Sequence, residues 1–281
     1  MFESFYSNPD SCIIFNRKKN IKSGNWDYHL HDSYEIYFLL EGSISYFIEK
    51  TKYNLKPGDL IIINSNEIHT HSIQSGDNYD RILIMFDPQM IRMFNSKDFN
   101  LLGCFENRVN GERNKISLRR NQIENLLNIL NRIETVNSDE LPGNKHLMLS
   151  YFIELLVFIN KIFLESGELP EDAGIHEKVL PIINYIDENM DGDLSLEALE
   201  KKFFISRYYL SRIFKESVGI SIHRYIILKR IVNAKALLAQ GYDVTAACYM
   251  CGFKDYSNFL KMFKSIVGVS PAKYKAGSRD S

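Results

Sequence analysis

Hydrophobic positions follow two different rhythms along this chain. In the first part they come in short β-branched and aromatic runs, Ile36 to Leu40, Ser43 to Glu49, Leu60 to Ile63 and Arg81 to Phe86. These runs are bounded by Gly42, Pro57-Gly58-Asp59 and the polar stretch Gln74 to Asp80. Such runs between turn residues predict strands, and many of them in one block predict a sandwich or barrel. From Ser117 the rhythm becomes helical. Ser117 to Thr135 sets Leu118, Ile123, Leu126, Leu127, Leu130 and Ile133 on one stripe. Asn144 to Glu165 carries a broader apolar face that includes Phe152, Leu156, Ile159 and Phe163. Both predict helices that must bury that surface.

Near the end the pattern repeats. Ile213-Phe214-Lys215, Val218-Gly219-Ile220-Ser221 and Tyr225 recur as Met262-Phe263-Lys264, Val267-Gly268-Val269-Ser270 and Tyr274, a constant shift of 49 residues. Two copies are too few for a solenoid and suit a duplicated three-helix unit. Ser206 and Asp255 hold the same place in the two copies, each with an oxygen able to cap a helix N-terminus. Leu210, Ile213 and Phe214, matched by Phe259, Met262 and Phe263, form the inward stripe. The other face shows Arg207, Tyr208, Ser211, Arg212 and Lys215 in one copy, and Tyr256, Ser257, Asn258, Lys261 and Lys264 in the other. These are donors and acceptors for phosphates and base edges. Gly219 and Gly268 supply the left-handed cap that ends each helix. A shorter segment, Leu196 to Leu199 or Val244 to Cys248, precedes each long one, so each unit reads as a helix-turn-helix.

With those residues in place, the stretch from about His176 to Tyr274 resembles the DNA-binding domain of the AraC family of bacterial transcription regulators. Leu199, Tyr209 to Lys215, Arg230, Leu237-Leu238, Gly252-Phe253, Phe263-Lys264 and Ser270-Pro271 carry the likeness together with the residues above. Glu200 departs from it, standing where the family has a small alanine. A glutamate facing the recognition helix is costly to bury unpaired, so it is expected to rotate outward or find a cation. Ala246-Ala247-Cys248 and Met250-Cys251 depart as well.

Charge sharpens the division. Residues from His176 onward carry 16 Lys and Arg against 11 Asp and Glu, whereas residues 1–175 carry 18 against 24. A basic end beside an acidic one fits a phosphate-binding module fused to a part that avoids DNA. The length allows two domains with cores of their own. No N-terminal run resembles a signal peptide, and the longest apolar segment, Leu147 to Leu164, is interrupted by Glu154, Asn160 and Lys161. A cytoplasmic location without membrane contact is expected. Four cysteines make no disulfide framework at this size. Cys248 and Cys251 lack the second pair that a tetrahedral metal site needs, so core packing is favoured for them.

His29-Leu30-His31, Glu35, Gly42, Pro57-Gly58-Asp59 and His69 have the order and spacing of the two cupin motifs, with Asn64-Ser65 in place of a usual proline. About residues 20 to 90 therefore resemble the cupin-like effector domain common in the AraC family. The resemblance implies an effector in the barrel mouth, with Trp26, His29, His31, Glu35, Tyr37, His69 and Arg81 as its candidate residues. A divalent metal on the histidines and Glu35 is the alternative, and no cofactor is expected in the preferred reading. Each residue also has a plainer role: Tyr37 as core, Arg81 as a partner of Asp80 or Glu35.

The expected fold is α+β with two domains: a cupin-like β-barrel over residues 1–115, a helical packing or dimerisation segment over 116–166, a linker over 167–175, and an all-α double helix-turn-helix domain over 176–281. The linker is expected to let the two domains fold independently. The expected function is sequence-specific transcription regulation under a small-molecule effector, with a sugar as the favoured class. Expected partners are double-stranded promoter DNA, the effector, a second copy of the chain, and RNA polymerase where the output is activation. Two alternatives stay open: a metal-dependent cupin enzyme with an accessory DNA domain, and a regulator whose barrel is only a dimerisation or partner-binding scaffold.

Overall fold

The computed structural model describes residues 13–19, 24–25, 33–73, 79–138, 141–166 and 178–277. Its first half holds strands β1 (Ile13–Lys19), β2 (Gly24–Asn25), β3 (Tyr34–Glu41), β4 (Ile44–Ile48), β5 (Thr51–Leu55), β6 (Asp59–Ile63), β7 (His69–Ile73), β8 (Asp80–Phe86) and β9 (Lys115–Ser117). They form two antiparallel sheets, one of five strands in the order β1-β8-β3-β6-β9 and one of four in the order β2-β7-β4-β5. The two sheets are not joined into one closed ladder among the described residues. Short helices α1 (Pro88–Arg92) and α2 (Gly103–Glu106) follow β8, and α3 (Arg120–Ser138) and α4 (Asn144–Glu165) complete this half.

The five-stranded sheet is buried on both faces. Along β3, Tyr34, Ile36 and Phe38 belong to a core shared with α3 and α4, while Tyr37 and Leu39 point into a second core facing the other sheet. That is why Ile36 to Leu40 reads as an unbroken apolar run: a strand solvated on one face alternates, and a strand buried on both does not. Leu126, Ile129, Leu130 and Ile133 of α3 and Phe152, Leu155, Leu156 and Ile159 of α4 close the outer core over Ile84 and Phe86. Phe86 meets Phe152 edge-on at 4.8 Å between ring centroids. By length and composition α4 could cross a membrane, while its Phe152, Leu155, Leu156 and Ile159 are buried in this core. The helical pattern begins later than Ser117, because Ser117 ends β9 and donates its hydroxyl to Asp59 at 2.8 Å.

The second half is helical: α5 (Leu180–Glu188), α6 (Leu196–Phe203), α7 (Arg207–Val218), α8 (Ile222–Ala239), α9 (Val244–Met250), α10 (Tyr256–Val267) and α11 (Pro271–Gly277). Two cores meet on α8. Ile222, Tyr225, Ile226 and Leu228 pack with α5, α6 and α7, and Ile227, Ile231, Ala234 and Leu238 pack with α9, α10 and α11. A helix serving two units is apolar on most sides, so α8 shows no single stripe. Cys248 and Cys251 are buried in the second of these cores. Burial pushes both thiols up, Cys251 to about 12, which leaves them inert. The expected linker lies outside the described residues, yet the two halves touch: Ile68 of the sheet half is part of the α5–α8 core, with Phe47 packed beside it.

Candidate DNA interface and effector pocket

The two long helices of the repeat match residue for residue. Both α7 and α10 have 12 residues, and their caps agree. Ser206 accepts from the Tyr209 N–H and Asp255 from the Asn258 N–H, while Gly219 and Gly268 close them at φ 88° and 86°. The turns before them differ: the left-handed residue is the exposed Phe204 in the first unit and Gly252 in the second. Glu200 is half-exposed rather than buried unpaired, and it meets a backbone N–H instead of a cation. Its carboxylate accepts the Arg207 N–H at 3.1 Å, adding a second acceptor and a negative charge at the N-terminus of α7, where the helix dipole favours it.

The structure leaves Arg207, Tyr208, Arg212 and Lys215 exposed on α7, with Ser211 half-exposed. Arg207 is held by Glu197 at 2.9 Å, and the Arg212 guanidinium lies 5.3 Å from the centre of the Tyr209 ring. The Arg212 guanidinium is thus steadied by the Tyr209 ring while the side chain stays exposed. On α10, Ser257, Asn258, Lys261 and Lys264 are exposed. Tyr256 is half-buried, its ring 6.4 Å from that of Phe259, so it serves packing as much as the surface.

Inside the sheets a polar cluster interrupts the apolar core. Glu35 projects inward from β3 and is buried. Its Oε1 accepts from the Tyr46 hydroxyl at 3.0 Å, and its Oε2 lies 3.5 Å from His69 Nε2. His69 Nδ1 sits 2.9 Å from the Glu67 carbonyl; a carbonyl only accepts, so Nδ1 carries hydrogen. Burial opposes charge on His69, but the Glu35 hydrogen bond, the Glu35 charge and the Glu67 carbonyl outweigh it and raise its pKa. His71, two residues along and so on the same face, stacks on Tyr46 at 5.1 Å. The Tyr37 and Tyr79 hydroxyls share a hydrogen bond of 2.6 Å. Arg81 leaves Asp80 to Arg17 and donates instead to the Asn16 carbonyl and side-chain oxygens at 3.1 and 3.0 Å.

Of the candidate pocket residues, Glu35, Tyr37, His69 and Arg81 therefore line one interior, while Trp26, His29 and His31 lie outside the described residues. Among the described residues no group of three or more His, Cys, Asp or Glu is placed to hold a metal ion. Tyr46, His71 and Tyr79 belong to the same cluster and carry no cupin signature. The signal that could have found His71 is its spacing of two from His69.

Burial, aided by Arg81 and His69 and opposed by Glu35, lowers the His71 pKa to about 4 from 6.5. The unfolded chain then takes up this proton first as pH falls, so stability is lost between about pH 6.5 and 4 and no further below. The loss amounts to roughly 3 kcal/mol. Urea unfolding across that range is expected to show a shallower acid slope in His71→Phe than in the unsubstituted protein. An unchanged slope would place this proton elsewhere.

Residues 8–149 match the family described as AraC-like ligand binding domain, and residues 199–277 match a helix-turn-helix domain. A probable transcriptional regulator of Photobacterium leiognathi, LumQ, is 24% identical over 249 residues, spanning 88% of this chain and 91% of LumQ. The transcriptional activator RhaS of Escherichia fergusonii is 23% identical over 262 residues, spanning 92% and 90%. A solved structure of ToxT from Vibrio cholerae aligns over 95% of this chain and 98% of its own at 15% identity, with a TM-score of 0.39.

Proposed function

The chain belongs to the AraC family of transcription regulators, and from that premise we propose how its two halves divide the work. The helix-turn-helix half binds DNA, and both the family and its named relatives are regulators rather than enzymes. In our reading α7 and α10 enter two successive major grooves on one face of the duplex, about one turn or 10 base pairs apart. The contacts come from Arg207, Tyr208, Ser211, Arg212 and Lys215 on α7 and from Tyr256, Ser257, Asn258, Lys261 and Lys264 on α10. The observation that carries this reading is the matched pair of capped helices with exposed basic faces.

Footprinting the full chain on the DNA upstream of its own coding sequence tests it. Two protected patches one turn apart are expected, and protection of a single groove would count against the arrangement. Arg212→Ala is expected to cost about 1–3 kcal/mol in DNA binding and to relax specificity at one base pair. Titration on single-base variants of the site checks this, and an unchanged profile would remove Arg212 from the base contacts.

In our reading the AraC-like domain takes its small-molecule effector in the interior lined by Glu35, Tyr37, His69 and Arg81, with Trp26, His29 and His31 as further candidates from the sequence. Hydroxyl, imidazole and carboxylate groups converging in an apolar interior suit a ligand rich in hydroxyls, so a sugar is the class to test first. A thermal-shift screen with sugars reads this directly, because a ligand that binds only the folded state raises Tm. Two copies pair through α3 in this reading, and a promoter-bound activator would also touch RNA polymerase.

A further inference from the structure

Helix α8 joins the two reading units, and the effector half meets it there. Two lysines of α8 reach across. Lys229 Nζ lies 2.8 Å from Glu49 Oε2 and 3.2 Å from Asp187 of α5. Lys235, buried, donates to the Ser65 carbonyl at 3.2 Å. Beside these contacts Ile68, fully buried, sits in the core formed by α5 to α8.

Glu49 is shaped for this position. It occupies the turn between β4 and β5 in the left-handed region, at φ 53°. Its N–H donates to the Ile68 carbonyl at 2.8 Å, and its Oε1 accepts the Ile68 N–H at 2.9 Å. One carboxylate oxygen thus holds Ile68 and the other holds Lys229. The next residue, His69, points the opposite way, onto Glu35 inside the sheets.

We propose that Glu49, Ile68, Lys229 and Lys235 form a latch that holds the effector half on the helix joining the two reading units, and that occupation of the sheet interior works this latch through the single step from His69 to Ile68. Lysine is seldom buried without a partner. An effector half swinging freely on its linker would return both lysines to water, so their burial marks a docked state. Burial works against the charge on Lys229, but Glu49 and Asp187 outweigh it and raise its pKa. Among the described residues the contact is also small enough to open, being Ile68 with Phe47 beside it, flanked by two lysine contacts. A ligand shifts docking only by binding one state better than the other. A guest displacing His69 from Glu35 meets that condition, because His69 is bonded in sequence to the residue seated in the other domain.

The second half of the proposal rests on the interior being the effector site, so the test uses neither effector nor DNA. The thiol introduced by Ile68→Cys, in a full chain carrying Cys12→Ser, reports opening through its rate of reaction with a soluble disulfide reagent. It should react slowly. Adding Glu49→Gln, or separately Lys229→Met, should raise the rate about tenfold or more, as expected for breaking a buried pair. Buried Cys104 should stay unreactive throughout. Glu35→Gln, inside the sheets and away from the contact, should raise the rate by a smaller factor.

An unchanged rate in both Glu49→Gln and Lys229→Met overturns the latch. Equal acceleration at Cys104 would mean unfolding rather than release and also counts against it. Acceleration by those two variants without any from Glu35→Gln overturns the link to the interior. The reading of the interior as an effector site can survive any of these results, because it stands or falls on ligand binding.

Discussion

Gly252→Ala is expected to cost about 2–5 kcal/mol and to displace the second reading unit from the first. Two costs add. Gly252 has φ +83°, where a side chain costs roughly 1–2 kcal/mol. A Cβ there would also lie 2.2 Å from the Met190 carbonyl oxygen and 2.9 Å from Arg230 Nη2, and overpacking of this kind costs about 1–3 kcal/mol. Neither neighbour can yield alone, because Arg230 donates to the Met190 carbonyl at 3.0 Å and to the Gly192 carbonyl at 3.1 Å. Gly252 is thus where the turn of the second unit rests against the first, and the contact sets the spacing of α7 and α10. Gly241 is the control, with φ +95° and nothing within 4 Å of its added Cβ. Urea unfolding should show a small loss for Gly241→Ala and a large one for Gly252→Ala. The footprint of Gly252→Ala should lose the second patch first. Equal losses in the two variants would show that steric contact at Gly252 plays no part.

The reading units were legible because their signals are local. A cap, a stripe and a terminal glycine each lie within a few residues of the helix they define, and the shift of 49 doubled every one of them. β3, β4, β6 and β8 were legible for a related reason, since strands buried on both faces carry long apolar runs. β7 was not. Its inward positions are His69 and His71, so the alternation that marks a strand runs with polar residues inside, and His71 escaped notice with it. Tyr46 stands among Ile44 and Ile48 and looks like any core aromatic until Glu35 is placed beside it. The contact between the halves was further from reach. Lys229 and Glu49 are 180 residues apart, and a lysine in a basic domain reads as surface until the fold brings a carboxylate to it. The charge division therefore agreed with the two domains that the motifs marked but said nothing of where they touch.

Arg108→Met is expected to cost about 3–5 kcal/mol, the loss typical of leaving a buried charge without its partner. Both side chains of the Arg108–Glu67 pair are fully buried, and the pair is bidentate, at 2.6 Å on each oxygen. Glu67 also accepts the Asn64 and Gly111 N–H groups at 2.9 and 2.7 Å and the Asn114 side-chain amide. Its charge is therefore satisfied from its own turn at Asn64 and from the 108–114 stretch. Replacing Glu67 as well would not restore stability fully, because those backbone donors would stay buried without an acceptor. The exposed Arg132–Glu154 pair has a similar distance, 2.6 Å, but sits in water, so Arg132→Ala should cost under about 1 kcal/mol. Distance does not separate the two pairs; burial does. Added salt should weaken the exposed pair and leave the buried one nearly unchanged. Urea unfolding at low and high salt measures both effects, and similar losses in the two variants would refute the argument from burial. Glu67 also anchors the segment that ends in Ile68, so Arg108→Met should loosen the docking of the two halves under conditions where the chain remains folded. Faster labelling of the Ile68→Cys thiol in that variant, with Cys104 still protected, is the expected sign. A labelling rate that stays slow despite the full loss of stability would show that Ile68 is held from the helical side alone.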